Sequence, residues 1–227
     1  MPSSMNQDSA DTAPGQAVYT RKMLSIYDIW VLGISNSLIW KCRTKQILHW
    51  MNQSLTANHL DVGVGTGYYL EHCTFPSSEV RLGLLDLNPN SLAAAASRSA
   101  RYQPEVYQAD VLAPLPQQSR PFDSVSLNYL LHCLPGDLTS KVKLFDHLGP
   151  WLNPGAIISG ATILSQGVPR GFSARRLMNF YNRKKIFANT SDSLDELQSQ
   201  LASRYTDVEV KVTGCVALFR ARTPSPD

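Results

Sequence analysis

Leu60-Asp61-Val62-Gly63-Val64-Gly65-Thr66-Gly67 is a short apolar run that ends with glycine at every second position. His59 to Val64 reads as a buried parallel strand, and the glycines after it as a tight turn. Glycine adopts positive φ without strain and lets backbone approach a ligand closely. A dinucleotide-binding turn favours G-x-G-x-x-G, in which the last glycine sets helix packing beside a pyrophosphate. Here Tyr68 takes that place, so the turn suits a ligand without a pyrophosphate. Glu71 and its neighbours start the helix that follows.

Downstream, Val80 to Leu85 forms a second strand and is followed by Asp86-Leu87-Asn88-Pro89. Asn88 suits a helix cap and Pro89 a first helical turn, and alanine-rich Ser91 to Arg101 is the helix they open. Glu105 to Ala109 is a third strand, and Pro121 introduces a fourth from Phe122 to Leu127. Leu138 to Leu152 carries Val142, Phe145 and Leu148 at helical spacing, and Asn153-Pro154-Gly155 is its stop signal. Ala156 to Leu164 is a fifth strand. Upstream, Ser37 to Leu55 predicts a helix with Trp40, Ile47, Met51 and Leu55 on one stripe. After a helix at Ser193 to Ser203, the strands Thr206 to Val212 and Cys215 to Ala221 are joined by Thr213-Gly214, which forces a hairpin. The order predicts an α/β fold: a Rossmann-like doubly wound sheet, mostly parallel, with an antiparallel C-terminal hairpin and helices on both faces.

Asp61-Val62-Gly63-Val64-Gly65-Thr66-Gly67 resembles the first motif of class I S-adenosylmethionine-dependent methyltransferases, in particular the small-molecule, natural-product type. The resemblance implies that Gly63, Gly65, Thr66 and Gly67 cradle the methionine and ribose parts of the cofactor, with Asp61 close to its amino group. Asp86 stands 19 residues after Gly67 at the end of the second strand, where the family anchors the ribose hydroxyls. Such charge-assisted hydrogen bonds contribute roughly 1.5 to 3 kcal/mol each, and Leu87 lies beside that anchor. Asp110, at the end of the third strand, matches the family's acceptor of the adenine amino group, with Val111 donating a backbone N–H to the ring. Taken singly, each acid also fits a cap or a turn former; three acids at three successive strand ends fit one nucleoside.

The fourth strand runs into Asn128-Tyr129-Leu130-Leu131-His132-Cys133-Leu134-Pro135-Gly136, which in this family lies beside the transferred methyl. Asn128 and Tyr129 are thus cofactor neighbours. Methylases of nucleobase or glutamine nitrogens carry Asn or Asp followed by Pro-Pro and an aromatic there, and the missing prolines point to a small-molecule acceptor. His132 is placed to take a proton from a hydroxyl, with an ordinary pKa of about 6.5. The alternative is a histidine that packs beneath the cofactor, since transfer from a sulfonium needs orientation more than a base. His49, His59, His72 and His147 read as structural.

Residues 1–16 are small and polar with two prolines, too poor in apolar surface to order themselves. A single domain is expected over 17–222, with a helical lid at 17–55 and a loose tail at 223–227. Within the lid, Tyr19, Tyr27, Trp30 and Asn36 are candidates to close over cofactor and acceptor, Tyr27 among the cofactor contacts, or else serve as core aromatics. No secretory leader and no membrane-spanning run is evident, so a cytoplasmic protein is expected. The four scattered cysteines suit reduced thiols, and no metal is expected. A formal charge of +3 is too small to imply nucleic acid, although Arg170, Arg175, Arg176, Arg183, Lys184 and Lys185 cluster without an acid between Gln166 and Ser191. That stretch either meets an acidic or phenolate acceptor or is a solvated helix face. Two other functions fit: a methyltransferase-like cyclase or isomerase that keeps its cofactor intact, separable by product mass, and an RNA-binding module, which salt-insensitive weak binding would exclude. The oligomeric state, monomer or homodimer, stays open.

Overall fold

The computed structural model describes residues 35–225. They form a sheet of seven strands, β1 (Asn58–Val62), β2 (Arg81–Asp86), β3 (Glu105–Gln108), β4 (Phe122–Asn128), β5 (Leu152–Ile163), β6 (Thr206–Thr213) and β7 (Val216–Arg222). Their order is β3-β2-β1-β4-β5-β7-β6. β1 to β5 run parallel, and β7 lies antiparallel between β5 and β6. The sheet is the one the element order predicts, because each helical crossover returns the chain right-handed to a parallel neighbour. The central strands are buried almost end to end, whereas edge strand β6 alternates exposed and half-buried residues.

Seven helices accompany it among the described residues: α1 (Thr44–Asn52), α2 (Tyr68–His72), α3 (Pro89–Arg98), α4 (Leu138–Lys141), α5 (Lys143–Leu148), α6 (Phe172–Arg183) and α7 (Leu194–Ala202). Short 3-10 turns lie at Ala100–Tyr102, Leu131–Cys133 and Gly149–Trp151. Leu60, Val62, Val125 and Leu127 meet Val142, Phe145, Leu148 and Leu201 on one face of the sheet. On the other, Leu82 and Leu84 meet Leu70, Leu92 and Ala95, and Ile163 and Val216 meet Trp40, Ile47 and Met178. No helix among the described residues is long and apolar enough to cross a membrane.

Four local expectations change. The helix expected from Ser37 is interrupted: residues 35–39 form a π turn, and α1 starts at Thr44. Trp40 O accepts the Cys215 N–H at 2.9 Å, so the chain turns there, with Lys41 at φ 57, and Gln46 Oε1 takes the Arg43 N–H at 2.9 Å to start α1. The long helix expected from Leu138 to Leu152 divides at Val142 into α4 and α5, and Pro150 closes the following turn. β5 begins at Leu152, ahead of the presumed stop, because Pro154 and Gly155 fall in the irregular register between Phe122 and Ser124 of β4. The final hairpin turns on Gly214 and Cys215, one residue later than expected, with Thr213 already paired to Val216. The cap holds as read: Asn88 Oδ1 accepts the Asn90 N–H at 2.9 Å, and Pro89 opens α3.

Candidate functional site

Between β1 and β4 the strand order reverses direction, and in an open parallel sheet this switch point opens a crevice at the carboxyl ends of the strands. The glycine bend leaves β1 there. Gly63, Gly65 and Gly67 have φ of 71°, 52° and 78°, values that an L side chain rarely adopts. A Cβ on Gly67 would stand 2.6 Å from Ala95 Cα, so this glycine lets α3 close on the bend. A Cβ on Gly65 would meet nothing within 4 Å, so the middle of the bend is bare backbone beside open space.

Asp86 ends β2 against this bend. Its carboxylate accepts the Asn88 N–H at 2.8 Å and is also held by the N–H groups of Val64, Gly65 and Leu87. Burial raises its pKa, and those N–H groups pull it back. Asp61, 6% exposed, accepts from Ser126 of β4. Burial, opposed by Ser126 and reinforced by the nearby Asp86, pushes it up to about 7. Thr66 is buried, and its Oγ1 accepts the Tyr68 N–H at 3.3 Å. β3 joins the same rim: Ala109 N–H donates to Asp86 O at 3.2 Å, one residue before Asp110. The Asp110 Oδ1 takes the Leu112 N–H at 2.9 Å, and Val111 is buried, its carbonyl bonded to His147 Nδ1 at 3.0 Å.

Across the crevice, β4 ends in Asn128 and Tyr129. Tyr129 holds φ 62, a conformation that costs a non-glycine residue about 1 to 3 kcal/mol. Its N–H reaches Ala161 O at 2.8 Å and its hydroxyl donates to Asn36 Oδ1 at 2.9 Å, which fix the turn. Leu130 then folds back, since a Cβ on Gly63 would lie 2.7 Å from its Cδ1. Asn128 Nδ2 lies 3.5 Å from Met51 Sδ.

His132 is 2% exposed, its ring centroid 4.5 Å from Phe187 and 5.4 Å from Tyr129. Nδ1 accepts the Ile163 N–H at 3.3 Å, which leaves the ring proton on Nε2. Burial first, and the Lys141 charge second, lower its pKa to about 3. Tyr19, Tyr27 and Trp30 lie outside the described residues. Of the other lid candidates, Asn36 is buried and donates to Thr44 Oγ1 at 2.9 Å, and the described part of that segment packs as core. In the basic stretch, Ala174 and Met178 anchor α6, while Arg175, Arg176, Arg183, Lys184 and Lys185 are exposed.

Two groups escaped the sequence reading. Ser124, Ser126 and His59 form a buried polar stripe, and its signal was serine at alternate positions of the central strand Phe122-Asp123-Ser124-Val125-Ser126-Leu127. The other is the fully buried pair Lys141 and Asp192, with Nζ 2.6 Å from Oδ2 and 2.6 Å from Ala188 O. Burial works against both charges, lowering the ammonium and raising the carboxyl. With Ala188 N–H on His132 O and Asn189 Nδ2 on Ile163 O, this pair pins the loop after α6 to the ends of β4 and β5. Nothing in the local sequence marks it.

Residues 60–158 match a family model described as a methyltransferase domain. The chain is 42% identical to demethylluteothin O-methyltransferase of Streptomyces thioluteus, over 92% of this chain and 91% of that protein. It is 40% identical to the physcion biosynthesis cluster O-methyltransferase of Aspergillus chevalieri, over 94% and 96% of the two chains. Its fold is similar to the N-methyltransferase NodS of Bradyrhizobium japonicum WM9 in complex with S-adenosyl-L-homocysteine, with a TM-score of 0.65 and 16% identity, covering 93% of this chain and 99% of NodS.

Proposed function

This chain belongs to the class I S-adenosylmethionine-dependent methyltransferases, and from that premise we propose that it methylates a hydroxyl oxygen of a small natural product. The observation that carries the cofactor half is the meeting of a bare glycine bend with the strand-end acids Asp61, Asp86 and Asp110 at one switch point. The donor set fits a nucleoside with an amino-acid arm. Asp86, already anchored by loop N–H groups, accepts from the ribose hydroxyls, with Leu87 beside it. Asp61 receives the amino group, and Gly63, Gly65, Thr66 and Gly67 give the backbone room to close on the ligand. Asp110 and the Val111 N–H serve the adenine, and Asn128 and Tyr129 border the reacting end. When bound, S-adenosylmethionine would supply an electrophilic methyl to the acceptor oxygen, whose proton passes to solvent, with S-adenosylhomocysteine as the other product.

His132 enters this reading as a support and not as the base. A ring lowered to about 3, with Nδ1 occupied, is a weak proton acceptor near neutrality. It props Tyr129 and the loop at Ala188, and the rate comes from orientation and exclusion of water. The oxygen acceptor is supported by the likeness to the two O-methyltransferases.

The test is to incubate the full chain with methyl-deuterated S-adenosylmethionine and a panel of phenols and hydroxylated polyketides, reading products by mass spectrometry. One labelled methyl on oxygen, together with S-adenosylhomocysteine, is the expected outcome. An altered product of unchanged mass with intact cofactor would replace the proposal by rearrangement. No heat with either cofactor form, and no effect of Asp86→Ala, would end it.

A further inference from the structure

β4 puts Val125 and Leu127 on one face, as a buried strand should, yet Ser124 and Ser126 on the other. Burying hydroxyls and an imidazole there costs free energy unless each finds a partner. They do, in a line. The register pairs His59 of β1 with Ser124 and Asp61 with Ser126. The His59 ring, fully buried with Phe75 at its edge, has Nδ1 2.8 Å from Ser124 Oγ and Nε2 2.9 Å from Ser126 Oγ.

With Asp61 ionised, as it is above about pH 7, counting protons fixes the direction of this line. A carboxylate only accepts, so Ser126 commits its single O–H to Asp61 Oδ1. The Ser126 oxygen then accepts from the ring, which places the imidazole proton on Nε2. A neutral imidazole has no second proton, so Nδ1 accepts from Ser124. Behind Ser124 stands the Thr56 N–H, donating to Oγ at 3.1 Å. From Ser124 onward every donor in the row points toward Asp61; behind it the Thr56 hydroxyl, 2.9 Å from Ser124 Oγ, donates to Asn58 O at 3.0 Å.

We propose that His59 is a positioning residue for Asp61: acting through Ser126, it fixes Oδ1, favours the ionised carboxylate and leaves Oδ2 to receive the amino group of the bound nucleoside's amino-acid arm. This rests on the assignment of Asp61 to that amino group. Ser126 is the arm that touches the acid, and His59 sets which way its hydroxyl points.

The experiment compares S-adenosylhomocysteine with its deamino analogue, in which hydrogen replaces the α-amino group, by calorimetry on the full chain. Ser126→Ala is expected to weaken S-adenosylhomocysteine about tenfold, the size of one charge-assisted hydrogen bond, and to leave the analogue unchanged. His59→Leu is expected to show the same selectivity at about threefold, through a bond one step removed. In the wild type, long-range proton–nitrogen NMR should find His59 protonated on Nε2. Equal weakening of both ligands in Ser126→Ala, or a proton on Nδ1, overturns the inference while the cofactor reading stands. Failure of the wild type to bind either ligand removes the cofactor reading, and this inference with it.

Discussion

On the β1 to β3 side of the crevice, Asp61, Asp86 and Asp110 each sit within two residues of a strand end, and backbone N–H groups hold Asp86. On the β4 to β5 side, the contacts run between side chains far apart in sequence: Lys141 to Asp192 spans 51 residues and Tyr129 to Asn36 spans 93. The first side follows from topology, because a parallel sheet delivers its strand ends to one rim whatever the side chains are. The second is assembled by tertiary interlocking. It is therefore expected to fail in stability where the first fails in ligand affinity.

The largest effect should come from the interlocked side. Asp192→Ala leaves a buried ammonium with only Ala188 O and is expected to lower unfolding free energy by about 3 to 5 kcal/mol in urea titrations. The paired replacement Lys141→Met with Asp192→Leu should recover most of that loss. Neither is expected to alter S-adenosylhomocysteine affinity in the folded fraction, and a matching fall in affinity would erase the contrast between the two sides.

Asp86→Ala should act the other way, weakening S-adenosylhomocysteine about a hundredfold in calorimetry, the loss of two charge-assisted hydrogen bonds. Two glycine substitutions sharpen the same point within one bend. Gly67→Ala drives a methyl against Ala95 backbone and should destabilise by about 1 to 3 kcal/mol. Gly65→Ala meets open space, so its stability cost is the smaller backbone strain, and its main effect should be on cofactor binding.

These contrasts show why the sequence could be read so unevenly. The glycine bend, the three acids and the cap at Asn88 are local patterns whose meaning needs only the next few residues, so their places were legible. The break in the N-terminal helix was not, because Trp40 turns to meet Cys215, and the division at Val142 had no proline or glycine to announce it. The Lys141 and Asp192 pair was invisible for the same reason: each looks like an ordinary surface charge until the fold buries it. The serine stripe lay between these cases, since alternation in a central strand was visible but its partner on β1 was not.

A smaller test follows from the imidazoles, one on each side. Burial holds His59 and His132 at about 3, below their unfolded value near 6.5. Their contribution is fully present above pH 6.5 and is lost as pH falls toward 3, because the unfolded chain takes up protons that the folded chain refuses. Each should steepen the decline by about 1.4 kcal/mol per pH unit in that window. His132→Asn, which keeps an acceptor for the Ile163 N–H, should flatten the profile by one such increment, read by urea titrations at successive pH values. Smallest of all, Tyr129→Phe should cost about 1 kcal/mol, the hydroxyl's bond to Asn36.

The seat of α1 carries a further consequence. Trp50 Nε1 donates to Phe219 O at 2.9 Å across 169 residues, and β7 is threaded between β5 and β6. On the ribosome, α1 can therefore settle on β5 early, but its Trp50 gains the Phe219 carbonyl only once β7, the last strand of the described residues, has been made. Loss of β7 would thus take the indole's acceptor away from a helix 169 residues earlier, and a partly made chain with that face still open is exposed to aggregation.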